Sequence, residues 1–358
     1  MAHDKQDFIL DDGRIVAAQA PVIISASRST DIPAFYCEWF FHRLERGYSA
    51  WKNPFNGQQM YVSYARTRFI VFWSKNPAPL IAHLPQLAKR RIGCYVQYSL
   101  NDYESEGLEL RVPPLEKRIG CFQELAEKLS PEQVIWRFDP LIITETMGVE
   151  QLLEKVERIG DRLKGYTKKL VFSFADIGTY SKVQNNLNRA HIRWVEWDEP
   201  RMHQFAQALA QLNASRWGYE LGTCAERVDL SQYGIAHNRC VDDALIARLA
   251  YHDNALMEHL GLEIHEQGLF NSCPPDAIRL PGGCYAIRRT RNKDKGQRSL
   301  CGCVVSKDIG EYNTCPHECI YCYANTSRAQ ASQRYQQHRK HPLSEYIVGQ
   351  ATPPEGDE

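Results

Sequence analysis

No run of about 18 apolar residues occurs in this 358-residue chain, so no membrane-spanning helix is expected. Charge of one sign is not in excess either: 43 Lys and Arg meet 43 Asp and Glu. That balance excludes a whole-molecule field drawing the chain to nucleic acid or an anionic membrane, and leaves only local patches. The opening segment MAHDKQDFILDDGR has no apolar centre and no small-residue cleavage site. No secretory signal is therefore expected, and the expected location is the reducing cytoplasm. G-x4-G-K-[ST], H-E-x-x-H and G-x-S-x-G are also missing, and Gly282-Gly283 is a lone pair. Phosphate loop, zinc-protease helix and hydrolase elbow thus have no support.

What is present suits a globular protein with a sizeable core: 43% apolar and 24% charged residues. The length suits one large domain or two ordinary ones. The first 200 residues alternate apolar runs with amphipathic stretches. Strands are expected at 21–27, 68–74, 94–100, 134–143 (interrupted or ended at Pro140), 169–176 and 216–221. Between them, helices are expected from a cap at Asp31 to a stop at Gly47, then over 114–129, 149–164 and 199–213. This order predicts an α/β fold with a parallel sheet, (β/α) barrel-like, with a doubly wound open sheet as the alternative. Expected boundaries are an extension at 1–20, a barrel core at 21–264, an irregular Cys-rich region at 265–330 that completes the barrel, and a tail at 331–358 ending in a disordered TPPEGDE.

Polar residues follow several of the apolar runs: Arg28, Ser29, Thr30 and Asp31; Lys75 and Asn76; Asn101 and Asp102; Asp176; Glu220. In parallel α/β folds such strand ends line the active site. Arg137 and Asp139 lie inside an apolar run, where buried charge needs a partner. They are the catalytic candidates, and a structural Arg–Asp pair accounts for them equally well. Seven basic residues against Asp294 lie between Arg279 and Arg298. That stretch is either a solvated loop or an anion site, with nucleic acid the less favoured ligand.

Twelve cysteines complete the inventory. Cys37, Cys94 and Cys121 sit in apolar surroundings and read as core. The other nine crowd into 224–322. Cys315, Cys319 and Cys322 form C-x3-C-x2-C, with Pro316 favouring a loop and Tyr321 directly before the last thiol. Thiolates select zinc, copper(I) or iron–sulfur clusters. A closed zinc site wants four ligands, whereas a trio on a four-iron cluster leaves one iron open.

C-x3-C-x-aromatic-C resembles the cluster loop of the radical S-adenosylmethionine (SAM) superfamily, and CPHECIYCYAN looks like its spore photoproduct lyase branch. ISASRSTDIPAFY, FWSKNPAP, VIWRFDP and CGCVVSKDIGEYNTCPHECIYCYAN resemble the family of unknown function DUF1848 over residues 24–325. The resemblance implies a 4Fe–4S cluster on Cys315, Cys319 and Cys322 and SAM chelated at its open iron. It implies an electron donor such as flavodoxin or ferredoxin, a 5′-deoxyadenosyl radical, and a substrate it does not identify. The trio stands late in the chain, unlike the superfamily pattern. Residues 303–309 are therefore expected as a strand beside 21–27, as in a partial or circularly permuted TIM-type barrel. No Gly-Gly-Glu segment is present. Thr30 and Asp31 stand in its place as cofactor-binding candidates, with Tyr321.

Cys224, Cys240, Cys301 and Cys303 are grouped as ligands of a possible second, closed cluster. Cys273 or Cys284 is an alternative for one of them, and His237 is an alternative in a zinc site. Two other readings stand beside the enzyme: a non-catalytic iron–sulfur or zinc protein, and a nucleic-acid repair or modification protein.

Overall fold

A parallel sheet of eight strands organises the computed structural model, which describes residues 5–53, 57–267 and 273–349. In spatial order the strands are Ile235–His237, Glu220–Thr223, Lys169–Phe174, Val134–Leu141, Gly93–Ser99, Phe69–Ser74, Ile23–Ala26 and Lys307–Asp308. Each neighbouring pair is parallel. The strand expected at 303–309 is thus found beside the first core strand, with Lys307 opposite Ile24 and Asp308 opposite Ser25. The α/β class holds, but Ile235–His237 and Lys307–Asp308 are edges that do not pair, so the sheet is not a closed barrel.

The strands read as continuous apolar runs because both faces are covered. One face carries Ile24, Ile70, Phe72, Val96, Trp136, Phe138, Leu170 and Phe172. Helices Cys37–Arg46, Leu115–Lys128, Val149–Leu163 and Glu199–Arg216 pack on it through Phe40, Phe122, Leu152 and Phe205. Alternation puts Ile23, Phe69, Val71, Tyr95, Ile135 and Val171 on the other face. There they meet Leu245, Ile246, Leu256 and Leu260, from the helices Asp243–Ala250 and Asn254–Leu260. Burying each such side chain contributes about 1.5–3 kcal/mol, so both faces are anchored.

Several local expectations change. The helix after Asp31 is two pieces, Ile32–Phe35 and Cys37–Arg46, broken at Tyr36 and stopped by Gly47 at φ 85°. The strand at 134 runs through Pro140 to Leu141, where its pairing with Lys169–Phe174 shifts register. An irregularity of that kind is where a sheet tolerates proline. The strand expected at 216–221 forms at Glu220–Thr223, because helix Glu199–Arg216 consumes the start and Gly218 turns the chain at φ 70°.

The region from 265 is less irregular than expected. Leu262–Glu266, Cys284–Arg288 and Ile278–Arg279 form an antiparallel sheet. Nor is the N-terminus a loose extension. Lys5–Ile9 and Ile15–Gln19 join Gln59–Ser63 and Tyr48–Lys52 in a four-stranded sheet. The tail contributes helix Arg328–Lys340 and a return to that sheet, where Ala50 N–H donates to the Glu345 carbonyl at 2.9 Å. TPPEGDE lies outside the described residues.

Candidate functional site

Two groups of thiols lie at the carboxyl ends of the parallel strands. The first is built on the face that carries Ile23, Phe69, Tyr95, Ile135 and Val171. Two residues further along each strand, the same face presents Ser25, Val71 and then Trp73, Gln97, Arg137 and Ser173. Asp308, opposite Ser25, accepts from Ser25 Oγ at 2.9 Å, Ser27 Oγ at 2.6 Å and the Arg28 amide at 2.8 Å. Trp73 Nε1 donates to Ser25 Oγ at 3.1 Å. The guanidinium groups of Arg28 and Arg137 lie 5.1 and 5.3 Å from the Trp73 ring.

Cys224 and Cys240 meet over this floor, with Sγ atoms 3.5 Å apart. Cys224 directly follows strand Glu220–Thr223, and Cys240 lies three residues beyond edge strand Ile235–His237. The Cys240 carbonyl is held by Tyr95 Oη at 2.7 Å and Gln97 Nε2 at 2.8 Å. Its sulfur accepts from Arg137 Nη1 at 3.2 Å and Asn238 Nδ2 at 3.3 Å. Cys303 accepts from the Val241 amide at 3.3 Å, and its thiol interacts electrostatically with those of Cys240 and Cys301. The four thiols therefore form a chain: Cys224, Cys240, Cys303, Cys301.

Cations surround that chain. Arg28 faces Cys303, Cys240 and Cys301, and Arg298 faces Cys224 and Cys301. Hydrogen bonds from Cys224 and Cys303, reinforced by Arg137 and Arg28, hold the Cys240 thiol well below its ordinary value. Arg28 Nη2 is buried without a hydrogen-bond partner among the described residues, which marks a place for an anion. Arg137 also pairs with Asp139, whose other oxygen accepts from Ser173. The two catalytic candidates are therefore together, and Arg137 acts on Cys240.

The second group is the loop 315–322, which begins seven residues after Asp308. Glu318 at φ 56° turns the chain between Cys315 and Cys319. Asp31 braces one side. Its buried carboxylate accepts from the amides of Ala34 at 3.0 Å and Lys75 at 2.8 Å and from Ser74 Oγ at 2.6 Å, and it meets His317 Nε2 at 2.8 Å. Burial pushes the Asp31 carboxyl up, but His317, Ser74 and the Lys75 amide outweigh it and hold the group below the usual carboxylate value. Thr30 Oγ1 bonds Thr314 Oγ1.

Tyr321 braces the other side. Its hydroxyl meets Glu109, Lys75 Nζ at 2.9 Å and Asn101 Nδ2 at 3.1 Å. Glu109 pairs in turn with Lys75 at 2.7 Å and Arg118 at 3.5 Å. Thr30, Asp31 and Tyr321 thus all lie at the loop, where each bonds within the protein. Burial pushes the thiols of Cys315, Cys319 and Cys322 up, while Lys75 opposes the rise at Cys319 and Cys322. Cys319 is buried, and Cys315 and Cys322 are half-buried.

As donor sets both groups suit soft metals. Among the described residues no group of three or more His, Cys, Asp or Glu is gathered closely enough to hold a metal ion as it stands. The alternatives to the quartet have other surroundings. His237 is exposed, Cys273 bonds the Pro274 carbonyl, and Cys284 lies opposite Glu266 in the antiparallel sheet.

Three of the seven basic residues between 279 and 298 are paired within the protein. Arg288 pairs with Asp243 at 2.6 Å, Arg289 with Glu263, and Lys293 bonds the Ser299 carbonyl at 2.6 Å. Sequence reasoning missed Gln97, Asn238 and Glu109, which carry no motif, and His317, which sits inside the Cys315–Cys322 motif. Two surface hollows of about 320 and 350 Å³ lie elsewhere, one at the amino ends of the strands beside Val22 and Arg68, the other beside Asn188 and Arg193.

No curated protein and no solved structure matches the chain. A family model does, over residues 23–324, a span that includes both thiol groups, and the chain therefore belongs to the family described as Domain of unknown function (DUF1848).

Proposed function

We propose that the protein is a radical SAM-type iron–sulfur enzyme, with Cys315, Cys319 and Cys322 holding a 4Fe–4S cluster that leaves one iron open for SAM. The observation that carries this reading is the pairing of Lys307–Asp308 beside Ile23–Ala26. It makes the trio a loop that follows a parallel strand at the carboxyl end of the sheet, where α/β folds bind their ligands. In this reading the sheet is a partial, permuted barrel.

When bound, the cluster and SAM supply reductive cleavage of the sulfonium and removal of a hydrogen atom from a substrate, with an electron from a flavodoxin or ferredoxin. The chain's own residues position and exclude. Asp31 with His317, and Tyr321 with Glu109 and Lys75, fix the loop from two sides. Trp73, Arg28 and Arg137 line the adjacent floor, over which the Cys224–Cys240 pair sits.

Protein reconstituted without oxygen, reduced with dithionite and given SAM should form 5′-deoxyadenosine. A Cys315→Ala, Cys319→Ala, Cys322→Ala triple variant should form at least 100-fold less. Failure of wild type that holds its cluster by electron paramagnetic resonance would sink the enzyme reading. It would favour a structural or electron-transfer iron–sulfur or zinc role. One observation already points to that second reading: Asp31 and Thr30, at the position of the superfamily's amino-group contact, direct their hydrogen bonds into the protein.

A further inference from the structure

The open sheet has two edges, and the quartet of thiols lies between them. Cys224 and Cys240 belong to one edge: the first ends strand Glu220–Thr223, and the second follows Ile235–His237. Cys301 and Cys303 belong to the other, a few residues before Lys307–Asp308. Little backbone joins the two sides there. The Val304 amide donates to the Val241 carbonyl at 3.0 Å, and among the described residues the Val241 amide meets the Cys303 sulfur.

We propose that Cys224, Cys240, Cys301 and Cys303 form a tetrathiolate metal centre that closes the seam of the parallel sheet. Three further features support a built site. Cys301–Cys303 is held in place by its backbone, with the Cys301 amide bonded to Arg298 O at 2.9 Å and the Cys303 carbonyl accepting from Asp294 at 2.9 Å. The Cys240 backbone is pinned by Tyr95 and Gln97 from the sheet floor. Arg137, 3% exposed, reaches the Cys240 sulfur, and Arg28 and Arg298 complete a cationic surround for a centre whose four thiolates carry negative charge.

The Cys224–Cys240 separation of 3.5 Å is near the edge of about 3.8 Å of a tetrahedron with zinc–sulfur bonds of about 2.3 Å. Cys303 and Cys301 continue as a chain that a metal would draw into a ring. A four-iron cluster would instead spread the first pair. Both are soft-metal tetrathiolate chemistry, and metal content separates them.

The centre is independent of the trio, so the test is run on the full-length Cys315→Ala, Cys319→Ala, Cys322→Ala variant, supplied with iron and sulfide or with zinc. Retention of about four irons or about one zinc per chain is expected. Adding Cys240→Ser and Cys303→Ser should lower that content at least tenfold, and adding Cys273→Ala and Cys284→Ala should leave it unchanged. Absence of both metals, or retention after the serine changes, overturns the centre. Chelation tests the seam without any further substitution. Hydrogen exchange at the Val304 and Asn238 amides should quicken at least tenfold, with Val96 in the sheet interior unchanged. Equal exchange with and without metal overturns the seam role.

Discussion

The two thiol groups share one end of one sheet and differ in almost everything else. The trio comes from eight consecutive residues and is braced by an acid on either side, Asp31 and Glu109. The quartet comes from three distant segments and is wrapped by the guanidinium groups of Arg28, Arg137 and Arg298. Burial pushes the trio's thiols up, whereas the quartet is split: Cys240 and Cys301 are held down while Cys224 and Cys303 are pushed up. The quartet thus sits among three guanidinium groups, while the trio's thiols face the single ammonium of Lys75. A loop that must exchange ligands at an open position suits the first arrangement, and a permanent fastening suits the second.

Substituting each group's bracing residue separates the two groups experimentally. The largest effect is expected at Arg137, buried between Asp139, Gln97 and Cys240. Arg137→Met leaves its partners uncompensated and should cost about 3–5 kcal/mol in urea unfolding. It should also deplete the quartet of metal while iron on the trio stays constant. Equal loss from both groups would show that they are one unit.

Asp31→Asn addresses the trio. Losing a charged acceptor with four partners should cost about 1–3 kcal/mol and release iron from the trio alone, read by absorbance and iron counting. Because the Asp31 carboxyl is held below its usual value, its contribution is present above the unfolded carboxylate pKa of about 3.9 and is lost as pH falls through the lower folded one. The variant should therefore lose less stability on acidification than wild type does. An unchanged acid limb would detach Asp31 from the loop's stability.

The smallest effect concerns Lys307, on the strand that links the two groups. Burial pushes its amine down to about 8, and it lies 3.5 Å from the centre of the Trp51 ring. The folded state sheds this proton before the unfolded chain does, so stability rises with pH between about 8 and about 10.4. Lys307→Met should add ~1–2 kcal/mol at pH 7, after the loss of the cation–π contact, and flatten that rise in pH-dependent unfolding. A loss of stability instead would mean that the Trp51 contact outweighs burial.

How much of this was legible in the sequence follows from distance along the chain. The trio could be read because its spacing is local. The core strands could be read because sheets covered on both faces leave uninterrupted apolar runs. The neighbour of Ile23–Ala26 could be read only through the resemblance, since two residues of strand, Lys307 and Asp308, carry no periodicity. The four quartet cysteines were grouped by their crowding, and the fold brings those four together. Gln97, Asn238 and Glu109 stayed hidden because a polar side chain near a strand end looks the same whether it faces water or a sulfur. The sheet at 262–288 stayed hidden because its short strands are separated by proline and glycine. Arg216 to Tyr219 were misplaced because Trp217 and Tyr219 look like strand residues, whereas Trp217 caps a helix and both rings pack on Trp136.

The bond between Ser25 and Asp308 also sets an order of events during synthesis. Its partners are 283 residues apart. At about 5–20 residues per second, the ribosome takes roughly 15–60 s to add that length of chain. Throughout that interval strand Ile23–Ala26 keeps a bare edge, a template for wrong pairing, while its other side already meets Phe69–Ser74. The last of the described strands both covers that edge and delivers the trio behind it, so Cys315, Cys319 and Cys322 cannot be placed until Lys307–Asp308 has been made.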